Sequence, residues 1–198
     1  IDTVKDKYLE KLKRAGFNWL ALGVESGSKF VRNGMEKGSF DEKDILQTAN
    51  KIKKHGIYII ANYIFGLPDD TQESMQETLD LALEINAEWA NFYCTMAYPG
   101  SPLYNQAQEE GWPLPNDPGG PGWIGYSQHG YESLPLPTNS LTSHEVLDFR
   151  DYAFEKYFSD PKFLNMTESV FGSKVIEHIQ SMLKIKLKRK HRDPLATS

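Results

Sequence analysis

Cysteine is almost absent from this chain of 198 residues, in which Cys94 is the only one. A single thiol cannot form an internal disulfide, and it cannot by itself hold a zinc ion or an iron–sulfur cluster. Long apolar runs are also absent: no stretch reaches the roughly 18 to 20 residues of a membrane-spanning helix, and the first residues lack a signal-peptide pattern. The net charge of −5 is not typical of a nucleic-acid-binding protein. These absences favour a cytoplasmic protein with no metal site of its own, no membrane and no nucleic-acid partner.

The most informative stretch that is present runs from Tyr58 to Ser74, YIIANYIFGLPDDTQES. A short apolar run bounded by turn residues is typical of a strand buried on both faces. Thr71 then suits the cap of a helix, because its hydroxyl can accept a backbone N–H that lacks a partner. Strand, tight turn and capped helix together predict one β/α unit of a parallel sheet, with the chemistry at the carboxyl end of the strand.

Two further strands are predicted by similar apolar runs, FNWLALGVES and WANFYCTMAY. With the first, they give parallel strands near 18–25, 57–65 and 89–97, separated by periodic helical patterns at the spacing of βαβ units. Three strands are too few to close an eight-stranded barrel. The predicted fold class is therefore α/β, a partial (β/α) barrel arc with helices on one face and an α-helical C-terminal appendage.

Composition divides the chain into three parts. Residues 1–110 carry the strands, and residues 111–141 form a loop rich in glycine, proline and aromatic rings. That loop is a surface linker or lines a substrate pocket, since long loops in compact domains are often functional. Residues 142–198 are predicted to be helical, with a Thr142 cap and a later helix from Pro161 to about Lys190. The basic run KIKLKRKHR near the end is interpreted as a solvated helix end or tail.

Several residues near the predicted carboxyl ends of the strands could carry chemistry. Glu25 ends an apolar strand, where a carboxylate can bind a ribose or amine, act as an acid or base, or simply form a salt bridge. The second strand contributes Asn62 and Ile64, and Gly66 after it would allow a flat ligand to approach the backbone. Asp69 and Asp70 suit the positive end of the next helix. Lys37 lies on a loop within reach of a carboxylate ligand, although a loop lysine alone is usually just solvated.

Four motifs together resemble the later strands of radical S-adenosylmethionine (SAM) enzymes, most closely the branch with an N-terminal cobalamin-binding domain. They are GVESGS at 23–28, MEKG at 35–38, YIFGLPDDT at 63–71 and AYPGSPLY at 97–104, and their order and spacing match over about residues 1–110. The resemblance implies SAM as cofactor, with Glu25 and Ser26 near its ribose and methionine parts and Lys37 near its carboxylate. It further implies that Ile64 packs on adenine beside Asn62, and that Pro99 borders the same cleft.

The chain departs from this family at its beginning. The CxxxCxxC loop that binds a [4Fe–4S] cluster is absent, as are the strands before Glu25, and Cys94 lies in a late strand. The chain also begins at Ile1 rather than Met. We therefore expect the C-terminal part of such an enzyme, inactive alone, whose partners are the N-terminal part of the same polypeptide and a small-molecule substrate. The cluster, and cobalamin if the parent uses it, would bind in the full-length protein.

Two rival interpretations remain open from the sequence. One is an unrelated barrel hydrolase that uses Glu25 with Asp69 or Asp70 as its second carboxylate. The other is an assembly or regulatory module that kept the barrel arc and lost its chemistry. Neither the substrate nor the type of reaction, whether methyl transfer or another radical reaction, follows from these residues.

Overall fold

The computed structural model describes residues 4–34 and 41–193, which fold into helices around one parallel sheet. The first half contains α1 (Asp6–Arg14), β1 (Trp19–Glu25), α2 (Lys29–Gly34), α3 (Glu42–Lys54), β2 (Tyr58–Phe65), α4 (Gln72–Ile85) and β3 (Trp89–Cys94). The second half contains α5 (Pro102–Glu109), a 3-10 turn at Gly122–Tyr126, α6 (Ser143–Ser159), α7 (Pro161–Phe171), α8 (Ser173–Lys184) and a 3-10 turn at Lys190–Arg192. Within the described residues, no helix is long and apolar enough to cross a bilayer.

The three strands form one sheet in the order β1-β2-β3, and both neighbouring pairs are parallel. Trp19 of β1 lies opposite Tyr58 of β2, and Ile60 of β2 lies opposite Trp89 of β3. Each strand lies within a predicted range, and helices follow β1 and β2 and lead to the next strand. The predicted fold class, an α/β arc of parallel β/α units with further helices after it, is confirmed.

The two faces of the sheet differ in burial. On β2 the odd-numbered residues from Ile59 to Phe65 are fully buried, whereas the even-numbered residues between them are only half-buried. The buried face packs against α3, α4 and α6 in one hydrophobic core, to which Ile52, Leu79 and Val146 belong. The other face, called the open face below, carries these residues on the three strands: Ala21 and Gly23, then Ile60, Asn62 and Ile64, then Asn91 and Tyr93.

The helices after residue 142 share the core of the sheet. Helix α6 packs directly on β3, and the hydroxyl of Tyr157 donates a 2.6 Å hydrogen bond to the carbonyl of Ala87. The end of α7 reaches the amino end of the open face, where the ring of Phe171 stacks on Trp19 at 5.7 Å. The helix predicted from Pro161 to about residue 190 is wrong in its extent, because the chain breaks at Gly172 with a φ of 84° and the next helix ends at Lys184.

The basic segment near the end of the chain is largely exposed, as its composition indicated, but it is anchored to the rest of the fold through Arg189. Arg189 is buried, and its guanidinium donates to both carboxylate oxygens of Asp151, at 2.7 and 3.0 Å. It also donates to the carbonyls of Gly130 and Gln128. Lys190 pairs with Glu132 on the same loop. This segment therefore ties the loop at 128–132 to α6.

Candidate functional site

The carboxyl end of β1 forms a strained turn centred on Glu25. The N–H of Ser26 donates to the carbonyl of Val24 at 3.0 Å, and Glu25 between them has a φ of 68°. A hydrogen bond across three residues with a positive central φ is the pattern of a classic γ-turn, which is rare and strained. Strain of this kind persists where the surroundings enforce it and is concentrated at functional sites. The strand register also shifts between Gly23 and Glu25, so the turn interrupts the ladder with β2.

The turn directs the Glu25 carboxylate back over the open face of its own strand. A Cβ atom built at Gly23 would lie only 2.6 Å from Oε1 of Glu25, so the carboxylate occupies space that any larger residue would fill. Gly23 lies opposite Asn62 in the sheet. The carboxylate and the amide of Asn62 therefore lie on neighbouring strands, at the same level and on the same face.

Asn62 belongs to a chain of amide hydrogen bonds across this face. Its nitrogen donates to the carbonyl of Leu22 at 3.2 Å, and its oxygen accepts from the amide nitrogen of Asn91 at 2.9 Å. The oxygen of Asn91 accepts in turn from the indole N–H of Trp89. These bonds fix the amide orientations, so the face presents a preorganised polar surface beside Glu25.

Ser26 lies elsewhere, because its side chain is turned towards α4 and is fully buried. Its hydroxyl is 3.2 Å from that of Thr78 and accepts the N–H of Ser28. Arg32 is buried beside it and donates to the carbonyls of Ser26 and Gly27. Burial, the main cause, lowers the pKa of Arg32. The loop after β1 is thus anchored to α4 and α2, and the Ser26 hydroxyl is used in holding it.

The loop also requires a glycine at position 27. A Cβ there would lie 2.5 Å from the backbone oxygen of Glu77 on α4. Because backbone atoms cannot move aside as a flexible side chain can, this close approach explains why the GVESGS motif places glycine here.

The turn after β2 is built around Asp70 rather than around a ligand. The Asp70 carboxylate is buried and accepts the N–H groups of Gly66 and Leu67 and the hydroxyl of Ser74. Burial raises the pKa of Asp70, and these hydrogen bonds partly oppose that rise. Gly66 has a φ of 78°, and the space beside it is filled by the side chain of Val146 on α6. The small size of Gly66 therefore allows α6 to pack closely against this turn. From the sequence we had expected it to allow a ligand to approach the backbone instead.

The remaining predicted residues lie around the same edge. Ile64 is half-buried on the open face, two positions beyond Asn62. Pro99 is exposed in the turn that follows β3. Lys37 falls outside the described residues. The structure thus brings Glu25, Asn62 and Ile64 to one face and sets Ser26 behind it.

Sequence reasoning missed three residues that shape this edge: Asn91, Arg32 and Thr78. Asn91 had a detectable signal, because it is a lone polar residue on the open side of an apolar strand and lies opposite Asn62. Arg32 and Thr78 had none, since their roles depend on a loop and a helix that meet only in the folded chain.

The described residues do not fit an iron–sulfur cluster. Cys94 is buried, and burial, the main cause, raises its pKa to about 12, which opposes the thiolate form that a metal needs. No group of three or more histidine, cysteine or acidic residues in the described ranges could hold a metal ion. SAM is a different case, because the carboxylate, amides and apolar side chain on the open face match the polar and apolar parts of such a ligand.

A cavity of about 400 Å³ lies at the free edge of β3, away from Glu25. Its walls include Asn91 and Tyr93 from the open face, Phe154 from α6 and Ile185 from the segment after α8. The buried guanidinium of Arg150 also borders it and donates to the carbonyl of Phe92. The open face and this cavity therefore adjoin along β3.

Comparison with known proteins gives matches that each cover about half of the chain. An uncharacterised methyltransferase of Pyrococcus horikoshii is 27% identical over 107 residues, which cover 54% of this chain and 23% of that protein. The bacteriochlorophyllide d C-12(1)-methyltransferase of Chlorobaculum tepidum is 28% identical over 105 residues, covering 53% and 23%. The chain thus spans less than a quarter of the length of these relatives.

Among solved structures, the radical SAM methyltransferase TsrM from Kitasatospora setae, determined with cobalamin and a [4Fe–4S] cluster bound, aligns with a TM-score of 0.49. It is 18% identical, and the alignment covers 55% of this chain and 22% of that one. The family model described as the radical SAM superfamily matches residues 1–82. Enzymes of this superfamily use SAM and a [4Fe–4S] cluster. The resemblance drawn from the motifs is thereby confirmed over residues 1–82, the stretch that matches the model of this superfamily.

Proposed function

We propose that this chain is the C-terminal part of the catalytic domain of a radical SAM enzyme, and that its open face supplies one wall of the SAM site and of the substrate cleft. The observation that carries the proposal is the Glu25 carboxylate, held by a strained turn over Gly23 and level with Asn62. A strained carboxylate beside oriented amides, at the carboxyl edge of a parallel sheet, is suited to binding a small polar cofactor.

Each residue has a distinct proposed part in holding SAM. The Glu25 carboxylate accepts hydrogen bonds from hydroxyl or ammonium groups, and Asn62 offers further polar contacts. Ile64 supplies a flat apolar surface for adenine, and Pro99 shapes the rim. Lys37 would bring a positive charge to the methionine carboxylate. Ser26 acts as a positioning residue, because its buried hydroxyl holds the loop next to Glu25.

When bound, SAM supplies the methyl group or the one-electron chemistry of the family, and the cluster that delivers the electron is held outside these residues. This chain's own contribution is to bind and orient. The amide chain from Trp89 to Asn62 fixes the hydrogen-bonding pattern, and the buried Asp70 stiffens the turn that follows.

We further propose methyl transfer, assisted by cobalamin, as the reaction of the whole protein. Support comes from the names of the relatives, two of which are methyltransferases. The substrate is proposed to be a small molecule, and the rest of the same polypeptide to be the partner that completes the barrel. We still predict that the protein is cytoplasmic and that this chain has no activity without the rest of the polypeptide.

The structure gives the hydrolase alternative less support than the sequence did. Asp70, one of its two candidate partner carboxylates, accepts three hydrogen bonds within its own turn. Asp69, the other, is exposed and accepts from Asn139. An assembly module without chemistry would have no need for a strained carboxylate. A measurement of SAM binding distinguishes that interpretation from the enzyme.

The test is the SAM dissociation constant of the full-length protein and its variants. Glu25→Ala should weaken SAM binding by about 1 to 3 kcal/mol, the usual cost of leaving a buried polar partner unpaired. Lys37→Ala should weaken binding while the absorption of the cluster stays intact. Glu10→Gln, on the exposed side of α1, is the matched control and should leave binding unchanged. Unchanged SAM affinity in both site variants, with lowered thermal stability, would show that Glu25 has a structural role only.

A further inference from the structure

The loop between α5 and α6 carries a cluster of aromatic rings at the carboxyl end of β3. The ring of Tyr98, in the turn after β3, stacks on Tyr126 with centroids 5.2 Å apart and planes 22° apart. The ring of Trp123 also contacts Tyr126, with centroids 5.5 Å apart and planes 43° apart. We call these three residues the aromatic stack. Two of its rings face solvent, since Trp123 is 76% exposed and Tyr98 is 52% exposed.

The loop presents the stack on an ordered scaffold. Asn116 donates to the hydroxyl of Tyr104 at 2.6 Å and accepts from the hydroxyl of Tyr126 at 2.8 Å. Gly125 lies so close to Pro121 and Pro115 that a Cβ there would be within 2.7 Å of both. Because the backbone around the stack is packed and bonded, the exposed indole is held in place rather than left on a free tip.

The same loop is fastened to the end of the sheet. The amide of Gln128 bonds both the N–H and the carbonyl of Cys94, at 2.8 and 3.0 Å, and so takes the place of a neighbouring strand. Further along, the N–H of Leu136 donates to the carbonyl of Thr95. These contacts fix the stack at the carboxyl edge of the sheet, which is the edge that carries the proposed SAM wall.

The stretch of chain that carries the stack has acidic residues but no lysine or arginine. No lysine or arginine occurs from Tyr98 to Tyr131, whereas Glu109, Glu110 and Asp117 do. Across the pocket beside Pro121, Lys190 pairs with Glu132 and His191 pairs with Asp148. The stretch that carries the stack therefore offers a phosphate-bearing partner no lysine or arginine, and protein–nucleic-acid contacts depend on such cations.

We propose that the aromatic stack binds the substrate, and that the substrate is a small molecule with a planar conjugated ring whose stacking part carries no negative charge. Exposed aromatic faces favour offset stacking with flat π systems, and an apolar patch of this kind on a monomer marks a binding surface. The inference rests on the proposed function, because it assigns the substrate class of the cleft that SAM would share. It does not depend on which residues hold SAM.

The test uses two probes with the same flat ring, riboflavin and its phosphate ester FMN, and measures their fluorescence anisotropy with the full-length protein. Riboflavin should bind saturably, and FMN more weakly because of its phosphate. Trp123→Ala should weaken riboflavin binding by about five- to a hundredfold, the range seen when a stacking ring is removed. Trp123→Phe keeps a ring and should bind more tightly than Trp123→Ala. Tyr8→Ala removes an exposed ring on α1 and should change nothing.

Three results would overturn the proposal. Equal riboflavin binding by the wild type and Trp123→Ala would mean that the indole takes no part. Tighter binding of FMN than of riboflavin would identify a phosphate-bearing partner instead. No riboflavin binding, together with protection of Trp123 from acrylamide quenching, would mean that another part of the polypeptide covers the stack. SAM binding, measured in parallel, separates each of these failures from a failure of the proposed function.

Discussion

The carboxylate of Glu25 lies where a side chain at Gly23 would begin, and an added Cβ would be 2.6 Å from Oε1. The Glu25 carboxylate can therefore lie where it does only because residue 23 has no side chain. A glycine two residues before the acid, on the same strand, is thus part of the candidate site although it has no functional group of its own.

Gly23→Ala should impair SAM binding although it changes no polar group. The added methyl would push the end of the flexible Glu25 side chain aside, so we expect a loss of SAM affinity no larger than that of removing the acid, about 1 to 3 kcal/mol. Isothermal titration of the full-length protein measures it. Glu10→Gln, on the exposed side of α1, is the control. If Gly23→Ala binds SAM as the wild type does, the geometry around Gly23 has no bearing on the site.

Glu25→Gly should separate binding from backbone strain. Glycine adopts a positive φ without steric cost, whereas alanine at this position keeps the strain of about 1 to 2 kcal/mol that an L-residue has there. Both variants lack the carboxylate and should lose SAM affinity equally. Glu25→Gly should nevertheless be the more stable in chemical denaturation. Equal stability of the two variants would show that the turn at Glu25 stores no strain.

Arg189→Met should destabilise the protein far more than loss of an exposed charge. Asp151 would keep its pair with Arg150 at 3.1 Å, so we expect a loss below the about 3 to 5 kcal/mol of leaving a buried charge wholly uncompensated. Lys186→Met breaks the exposed pair with Glu155 and should cost at most about 1 kcal/mol. Urea denaturation of both variants gives the comparison. Similar small losses in the two would mean that the segment after α8 is only loosely attached.

Stability should fall as the solution becomes mildly acidic, and His129 should contribute to this fall. Burial, followed by the charges of Arg150 and Arg189, lowers the pKa of His129, whose Nε2 lies 3.0 Å from Arg150. The unfolded chain therefore binds a proton on this histidine more readily, so stability is lost as pH falls below about 6.5. His129→Gln should flatten the slope of unfolding free energy between about pH 7 and 5.

The elements of the sheet could be predicted from the sequence because their signals are local. Short runs of β-branched and aromatic residues bounded by glycine or proline predicted all three strands. Thr71 and Thr142 cap their helices as predicted, each in a capping box. Helix α3 also begins with a capping box, formed by Asp41 and Asp44.

The site could be predicted only in part, because its geometry depends on contacts distant in sequence. Glu25 was found because a carboxylate ending an apolar strand stands out. Its γ-turn depends on backbone angles that composition does not reveal, and the burial of Ser26 depends on Thr78, which lies 52 residues away. Arg189 looked like part of a solvated run, since only the folded chain brings Asp151 against it.

The most direct test of the central claim, that the open face at the carboxyl edge binds SAM, is hydrogen exchange of the full-length protein with and without SAM. The account predicts slower exchange in peptides covering residues 22–28 and 60–66, and no change in those covering α7 at 161–171. Slower exchange confined to other parts of the chain, with 22–28 and 60–66 unaffected at saturating SAM, would contradict it.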